Sequence, residues 1–327
     1  MRGEYGEAER TAKDFLRQAE ATSSAPEAAS GRVWLGLTSL LLGRLAEAQT
    51  YLEQALTEGR LTLDNWRAQQ QRFEPSAISM SLLGLVAWLT GDVQRAGQLT
   101  EQALILASGL GHVPTTVTIY GYTEILATIR DDLATALHLS VRHVELTREH
   151  EMADHRAVGE IYFAWSHSRM SREKSDVAQL RQAIDAYLKR GTALAPYLLG
   201  LLAAREADTD DSDAAIATIE DAISRAGETG ERFTDAFLHR VRGDILLKRD
   251  PGDRSAAEQA FEAAIAVARQ QGARSLGLQA ALAAKLYQST GRPVEAHAIL
   301  APALEGFAPT PEMPEILEAQ TLLAEIS

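Results

Sequence analysis

The hexapeptide "DTDDSD" at 208–213 opens like a calcium loop, with carboxylates at alternate positions that can converge on one cation. The likeness stops there. The sixth position is Asp213, where the sharp turn needs glycine, and the twelfth is Ile219, where a bidentate glutamate belongs. The stretch reads instead as an acidic turn whose Asp and Ser side chains cap the next helix. Six of the eight histidines invite a metal reading: His138, His143, His150, His155, His167 and His239. Yet His138/His143 and His150/His155 stand five apart, whereas two ligands on one helix face need a spacing of four. The chain has no cysteine, which excludes disulfides, thiolate zinc sites and a thiol nucleophile. It has no Gly-x-x-x-x-Gly-Lys-Ser/Thr loop to cradle a phosphate and no nucleophile elbow around any serine. Carboxylates are plentiful, but runs such as "TREHEMADHR" spread them around a helix, as on a solvated face. The expectation is a chain with no cofactor, no metal and no catalytic site of its own.

Composition narrows the partners. A net charge of −13 argues against nucleic acid, whose phosphates need concentrated Lys and Arg. The longest apolar stretches, such as "LLGLVAWL" at 82–89, fall far below a membrane span of ~20 residues. The start, "MRGEYGEAER", is too polar for a signal peptide. A cytoplasmic protein with a protein, peptide or small-effector partner is expected, and neither nucleic acid nor membrane.

The elements that must position any site announce themselves by repetition. "GRLAEAQTYLEQAL" at 43–56 returns as "GDVQRAGQLTEQAL" at 91–104 and, worn, as "SAAEQAFEAAIAVA" at 255–268. A small residue opens each candidate second helix at Ala8, Ala48, Ala96, Ala136, Asp176, Ala215, Ala257 and Ala296, with intervals of 40, 48, 40, 40, 39, 42 and 39. Bulky residues four later (Leu52, Leu180, Ile219, Phe261, Leu300) and small ones seven later share its helix face. Twelve residues earlier stands another small residue, as at Gly36, Gly84, Ala164, Ala203 and Ala284, with Gly243 near the equivalent place. Glu124 breaks this rule, and positions 140 and 143 of the same unit are also atypical. Gly43, Gly91 and Gly291 stand where first helices end.

A small-and-large stripe with this spacing resembles the tetratricopeptide repeat, with a period near 40 rather than the usual ~34. The resemblance implies an all-α, right-handed superhelix of about seven to eight hairpins. The array is expected to be one domain over residues 1–327, with an incomplete first hairpin at 1–22, a longer connection at 57–76 and a C-terminal capping helix at 311–327. In such arrays positions two, five, nine and twelve of each first helix face the concave side. That phase sends Trp88, Trp165 and Tyr197 towards a groove, with Arg169 one position beyond Ser168. Large aromatics and arginine make good anchors. The one interval of 48 holds "LTLDNWRAQQQRFEPS" at 61–76, so Trp66, Arg67, Arg72 and Phe73 form a second candidate recognition segment.

From about Asp213 onward the text is more specific. "TGER", "RGDILL", "AEQAFEAAIAVARQQGARSLGLQAALA" and "GRPVEAHAILAPALEGF", with "GEYGEA" near the front, resemble the C-terminal helical region of large bacterial proteins. Those proteins join a class III nucleotide cyclase or another signalling domain to a P-loop ATPase and then to tetratricopeptide-like repeats. Related ATPase regulators of transcription carry similar text. The resemblance implies a regulatory tail whose partner is an upstream ATPase or cyclase domain in the same polypeptide. The first anchor, Ala8, lacks a preceding partner helix, which gives the same expectation of a longer protein. The alternative is a free-standing scaffold or oligomerisation protein.

Overall fold

The structure, a computed structural model, describes residues 5–61, 73–171, 173–209 and 211–326. Among them all regular structure is helical. Helix α1 (Tyr5–Ala21) leads into consecutive pairs. These are α2 (Ala25–Leu41) with α3 (Leu45–Leu61), α4 (Pro75–Thr90) with α5 (Val93–Leu110), and α6 (Val113–Ile129) with α7 (Leu133–Glu149). Then come α8 (Ala153–Met170) with α9 (Lys174–Leu188), α10 (Ala195–Glu206) with α11 (Ser212–Thr229), and α12 (Asp235–Arg249) with α13 (Ser255–Gln271). A first helix broken into α14 (Arg274–Ala281) and α15 (Ala284–Ser289) pairs with α16 (Pro293–Leu304), and α17 (Glu315–Ile326) follows. The expected all-α array of hairpins is the observed one.

Local chemistry sets the boundaries. Prolines occupy the first turn of α2, α4, α6, α10 and α16, where the missing N–H costs nothing. Asp92, Asp132 and Asp211 cap α5, α7 and α11 by accepting from the N–H groups of Arg95, Thr135 and Ala214. Gly43, Gly91 and Gly291 take the left-handed conformation in the hairpin turns, at φ 74°, 94° and 74°. Apart from Ala8 and Asp176 the anchors are buried, and their small side chains let helices touch. A Cβ on Gly36 would lie 2.5 Å from Leu52 Cγ, and one on Gly243 would lie 2.7 Å from Phe261 Cε1.

The irregular unit obeys the same packing with its sizes exchanged. Glu124 stands where Gly36 stands two units earlier, and the small Ser140 replaces Leu52; both are fully buried. Glu124 meets His143, whose Nδ1 lies 2.9 Å from Oε2. Gly159 makes room for the imidazole, since a Cβ there would sit 3.0 Å from His143 Cγ. Burial pushes the Glu124 carboxyl above its ordinary range against the opposing pull of His143. His143 thus belongs to a buried acid–base pair. Among the described residues no cluster of His, Cys, Asp or Glu has the geometry to hold a metal.

The inner face is not an open groove. The first helices α2, α4 and α10 are apolar on nearly every side, because neighbours cover nearly every side. The array curls until distant turns meet. The Arg232 N–H donates to the Leu41 carbonyl at 2.7 Å, Tyr5 donates its hydroxyl to Glu231, and Ser275 Oγ donates to the Trp88 carbonyl at 2.5 Å. One apolar core runs from Tyr5 to Leu322. Among the described residues no helix is long and apolar enough to cross a membrane.

Candidate functional site

Closure corrects the expected groove. Trp88 is 1% exposed and Tyr197 is 0% exposed. Trp88 lies at the seam where α4 meets α14. Tyr197 bonds to Thr128 and donates to the Ile125 carbonyl at 3.2 Å, with Phe233 and Phe237 beside its ring. Both side chains serve the core, since the concave faces that would have displayed them are pressed together. Phe73 packs edge-on against Trp34, with ring centroids 5.4 Å apart. Trp66, Arg67 and Arg72 lie outside the described residues.

Trp165 and Arg169 do come together, in the lining of a cavity of about 330 Å³. The ends of α6, α8 and α10 and most of α12 form it, with Gln279 of α14 and Glu315 of α17 also in the lining. Trp165, Leu201, Phe237 and Ile245 supply apolar lining. A wider hollow of about 820 Å³ follows the seam near Gly43 and Arg232.

The inner cavity differs in its charge. Arg169, Arg205, Arg240 and Lys248 face Asp131, Asp208, Asp244 and Glu315, so the lining is balanced in number. Arg169 grips Asp131 with two bonds, one of them Nε to Oδ1 at 2.9 Å. Asp208 accepts from Arg205 and Lys248. Arg240 donates to Asp244 at 2.9 Å, and Gln279 donates to Glu315 at 2.8 Å. Arg205 also donates to the Ser168 carbonyl at 2.7 Å.

The turn residue Asp131 is informative. It holds φ at 56°, at the hairpin position where Gly43, Gly91 and Gly291 stand in other pairs. A side chain here costs conformational energy that glycine avoids. Its carboxylate is what secures Arg169.

Burial acts on the charges unevenly. Arg205 is 3% exposed, and desolvation lowers its pKa against the opposing charge of Asp208. Burial pushes Asp244 up, with Arg240 and Lys248 only partly offsetting it. For Asp208 burial also pushes upward, but the bond from Lys248 and the charges of Lys248 and Arg205 outweigh it and hold the carboxyl low. Nε of Arg205, Nε of Arg240 and Oε1 of Gln279 lie buried without hydrogen-bond partners. Each cation of the lining thus has a carboxylate partner, while these three polar atoms are left without a hydrogen bond.

Of this cavity, sequence reasoning found Trp165 and Arg169. It missed Arg205, Asp208, Arg240, Asp244 and Lys248. A signal was present: Arg240, Asp244 and Lys248 recur every four residues on a first helix, a kind of helix whose inward stripe is elsewhere apolar.

These features define a helical-hairpin repeat protein with a charged cavity inside a closed array. Residues 29–58, spanning most of the α2–α3 hairpin, match the tetratricopeptide repeat family. An uncharacterized protein of Rhizobium meliloti (strain 1021) is 24% identical over 242 residues, which is 72% of this chain and 23% of that protein. The chain thus spans about a quarter of that relative's length. The crystal structure of yeast Tom70 superposes on 98% of this chain and 59% of its own, with a TM-score of 0.46 and 16% identity.

Proposed function

We propose that the chain is a non-catalytic binding module that receives a peptide or small effector in the Trp165–Arg169 cavity. The observation that carries this reading is the mixed-charge lining around an apolar wall: a few convergent polar groups in a preformed hollow are the usual make-up of a ligand site. The lining offers orientation and charge recognition. It holds no activated nucleophile paired with a base, so binding is the chemistry it suits.

The wider setting we propose is a regulatory C-terminal part of a multidomain cyclase–ATPase-like signalling protein, located in the cytoplasm. Two points support it: the phrases shared with such proteins, and a relative that extends far beyond the matched region. Occupancy of the cavity would bias how the array sits against an upstream ATPase or output domain.

Amide hydrogen exchange tests the site. Fractionated peptides and metabolites are added to the chain and to Arg169→Gln. Protection expected in helices α6, α8 and α12 of the unaltered chain should vanish in R169Q. The Arg169–Asp131 pair is partly exposed, with side chains 30% and 58% accessible, so its loss should cost at most about 1 kcal/mol of stability. Protection that is equal in both chains, or lies only along the seam hollow, would sink the reading.

A further inference from the structure

We infer that the ligand of the inner cavity is a small zwitterion of the α-amino-acid class with an apolar side chain. The inference rests on the cavity being the binding site and narrows what fills it.

Charge order is the first argument. Arg240, Asp244 and Lys248 stand four residues apart on α12, so they rise one above another at intervals of ~6 Å. Their signs alternate. Asp131, Asp208, Arg169 and Arg205 line the same cavity, with Arg169 bonded to Asp131 and Asp208 bonded to both Arg205 and Lys248. A ligand with one charge would meet an attractive and a repulsive neighbour within a single helical turn, and four cations against four anions give no net field to favour either sign. A dipolar ion answers both. Its carboxylate lies by Arg240 or Lys248, and its ammonium lies by Asp244.

Accessibility agrees with that placement. The Asp244 side chain is 47% accessible and that of Lys248 is 50% accessible, and both line the cavity. Arg240 makes one bond to Asp244 and leaves Nε without an acceptor, while Gln279 leaves Oε1 without a donor.

Shape is the third argument. About 330 Å³ lies at the small end of ligand pockets. Thr128 and Phe237 line the cavity, and Thr128 is held by the buried Tyr197 hydroxyl behind it. Trp165, Leu201 and Ile245 provide the apolar wall for a side chain.

Titration calorimetry on the full chain provides the test, with L-leucine and L-phenylalanine as probes. N-acetyl-leucine and leucinamide each remove one charge. At least one free amino acid should bind, and its two capped forms should bind about tenfold or more weakly, the cost of a lost charge-assisted contact. Asp244→Asn, nearly isosteric at a half-accessible position, should weaken leucine about tenfold and shrink the penalty for N-acetylation. Capped forms that bind as tightly as the parent, yet remain sensitive to R169Q, would overturn the zwitterion while leaving the cavity as the site. If the whole panel fails while the exchange experiment still shows R169Q-dependent protection by another fraction, the ligand class is wrong. If that protection is absent as well, the site itself is wrong.

Discussion

Glu231 should contribute stability in mild acid that is lost at neutral pH, and Glu231→Gln should remove that contribution. The carboxylate lies in the closing seam, almost wholly buried. Its Oε2 accepts from Tyr5 and from the Leu194 N–H at 3.0 Å, while Oε1 has no partner. Burial raises its pKa from 4.5 to about 7, against the pull of the Tyr5 and Leu194 bonds. A raised carboxyl pKa means the folded state holds its proton longer than the unfolded chain does. The favourable term is therefore complete below pH ~4.5 and lost as pH rises through about 7. At ~1.4 kcal/mol per unit of pKa, the loss is about 3 kcal/mol. Glutamine mimics the protonated acid: its carbonyl can keep both donors, and its amide nitrogen replaces the unpartnered oxygen. Urea unfolding at pH 4.5, 6 and 8 should find E231Q close to the unaltered chain at the lowest pH. At pH 8 it should be more stable by about 1–3 kcal/mol, part of the gain being spent on unpartnered amide hydrogens. An E231Q chain that is less stable at pH 8, or offset equally at every pH, would refute the reasoning.

Two further outcomes follow from named contacts. His143→Ala should cost about 3–5 kcal/mol at pH 7 because it leaves the buried Glu124 carboxyl without its partner, whereas adding Glu124→Leu, which removes that polar group and keeps volume beside Ser140, should recover part of the loss; a chemical-denaturation mutant cycle reads the coupling. Asp131→Gly trades a left-handed non-glycine residue and a partly exposed ion pair for the glycine of the sister turns. Global stability should move by less than about 1 kcal/mol, while the R169Q-sensitive exchange response is lost.

Much of the array was legible because it depends on local spacing. Ala48, Ala96, Ala257 and Ala296 sit in second helices where the ruler put them, and Gly43 and Gly91 end first helices as the turns require. The fourth unit resisted because its rule is an exchange of volumes, Glu124 with Ser140 for Gly36 with Leu52, and a spacing pattern does not register compensation. The closed interior escaped for a different reason. Leu41 with Arg232, and Trp88 with Ser275, meet across nearly two hundred residues, and no period in the text encodes that distance. One clue was available. "AISMSLLGLVAWL" at 77–89 is apolar around the whole helix, and such a helix is covered on every side. Half of the cavity went unseen with it, because the expected phase looked for aromatic anchors rather than a charged stripe on α12.

A repeat solenoid ordinarily behaves as a spring, whose units contact only their neighbours and melt or stretch independently. The seam makes this molecule a clasp. Pulling α1 and α2 away would have to break Tyr5 from Glu231 and Leu41 from Arg232 before the array could extend. Under force the expected response is a single yield at the seam and not a gradual lengthening. In folding, the clasp closes after the local hairpins, since its contacts carry the largest loop-closure cost. A pull on the first helix would then be felt at the Glu231–Asp235 turn, beside the helix that carries Asp244.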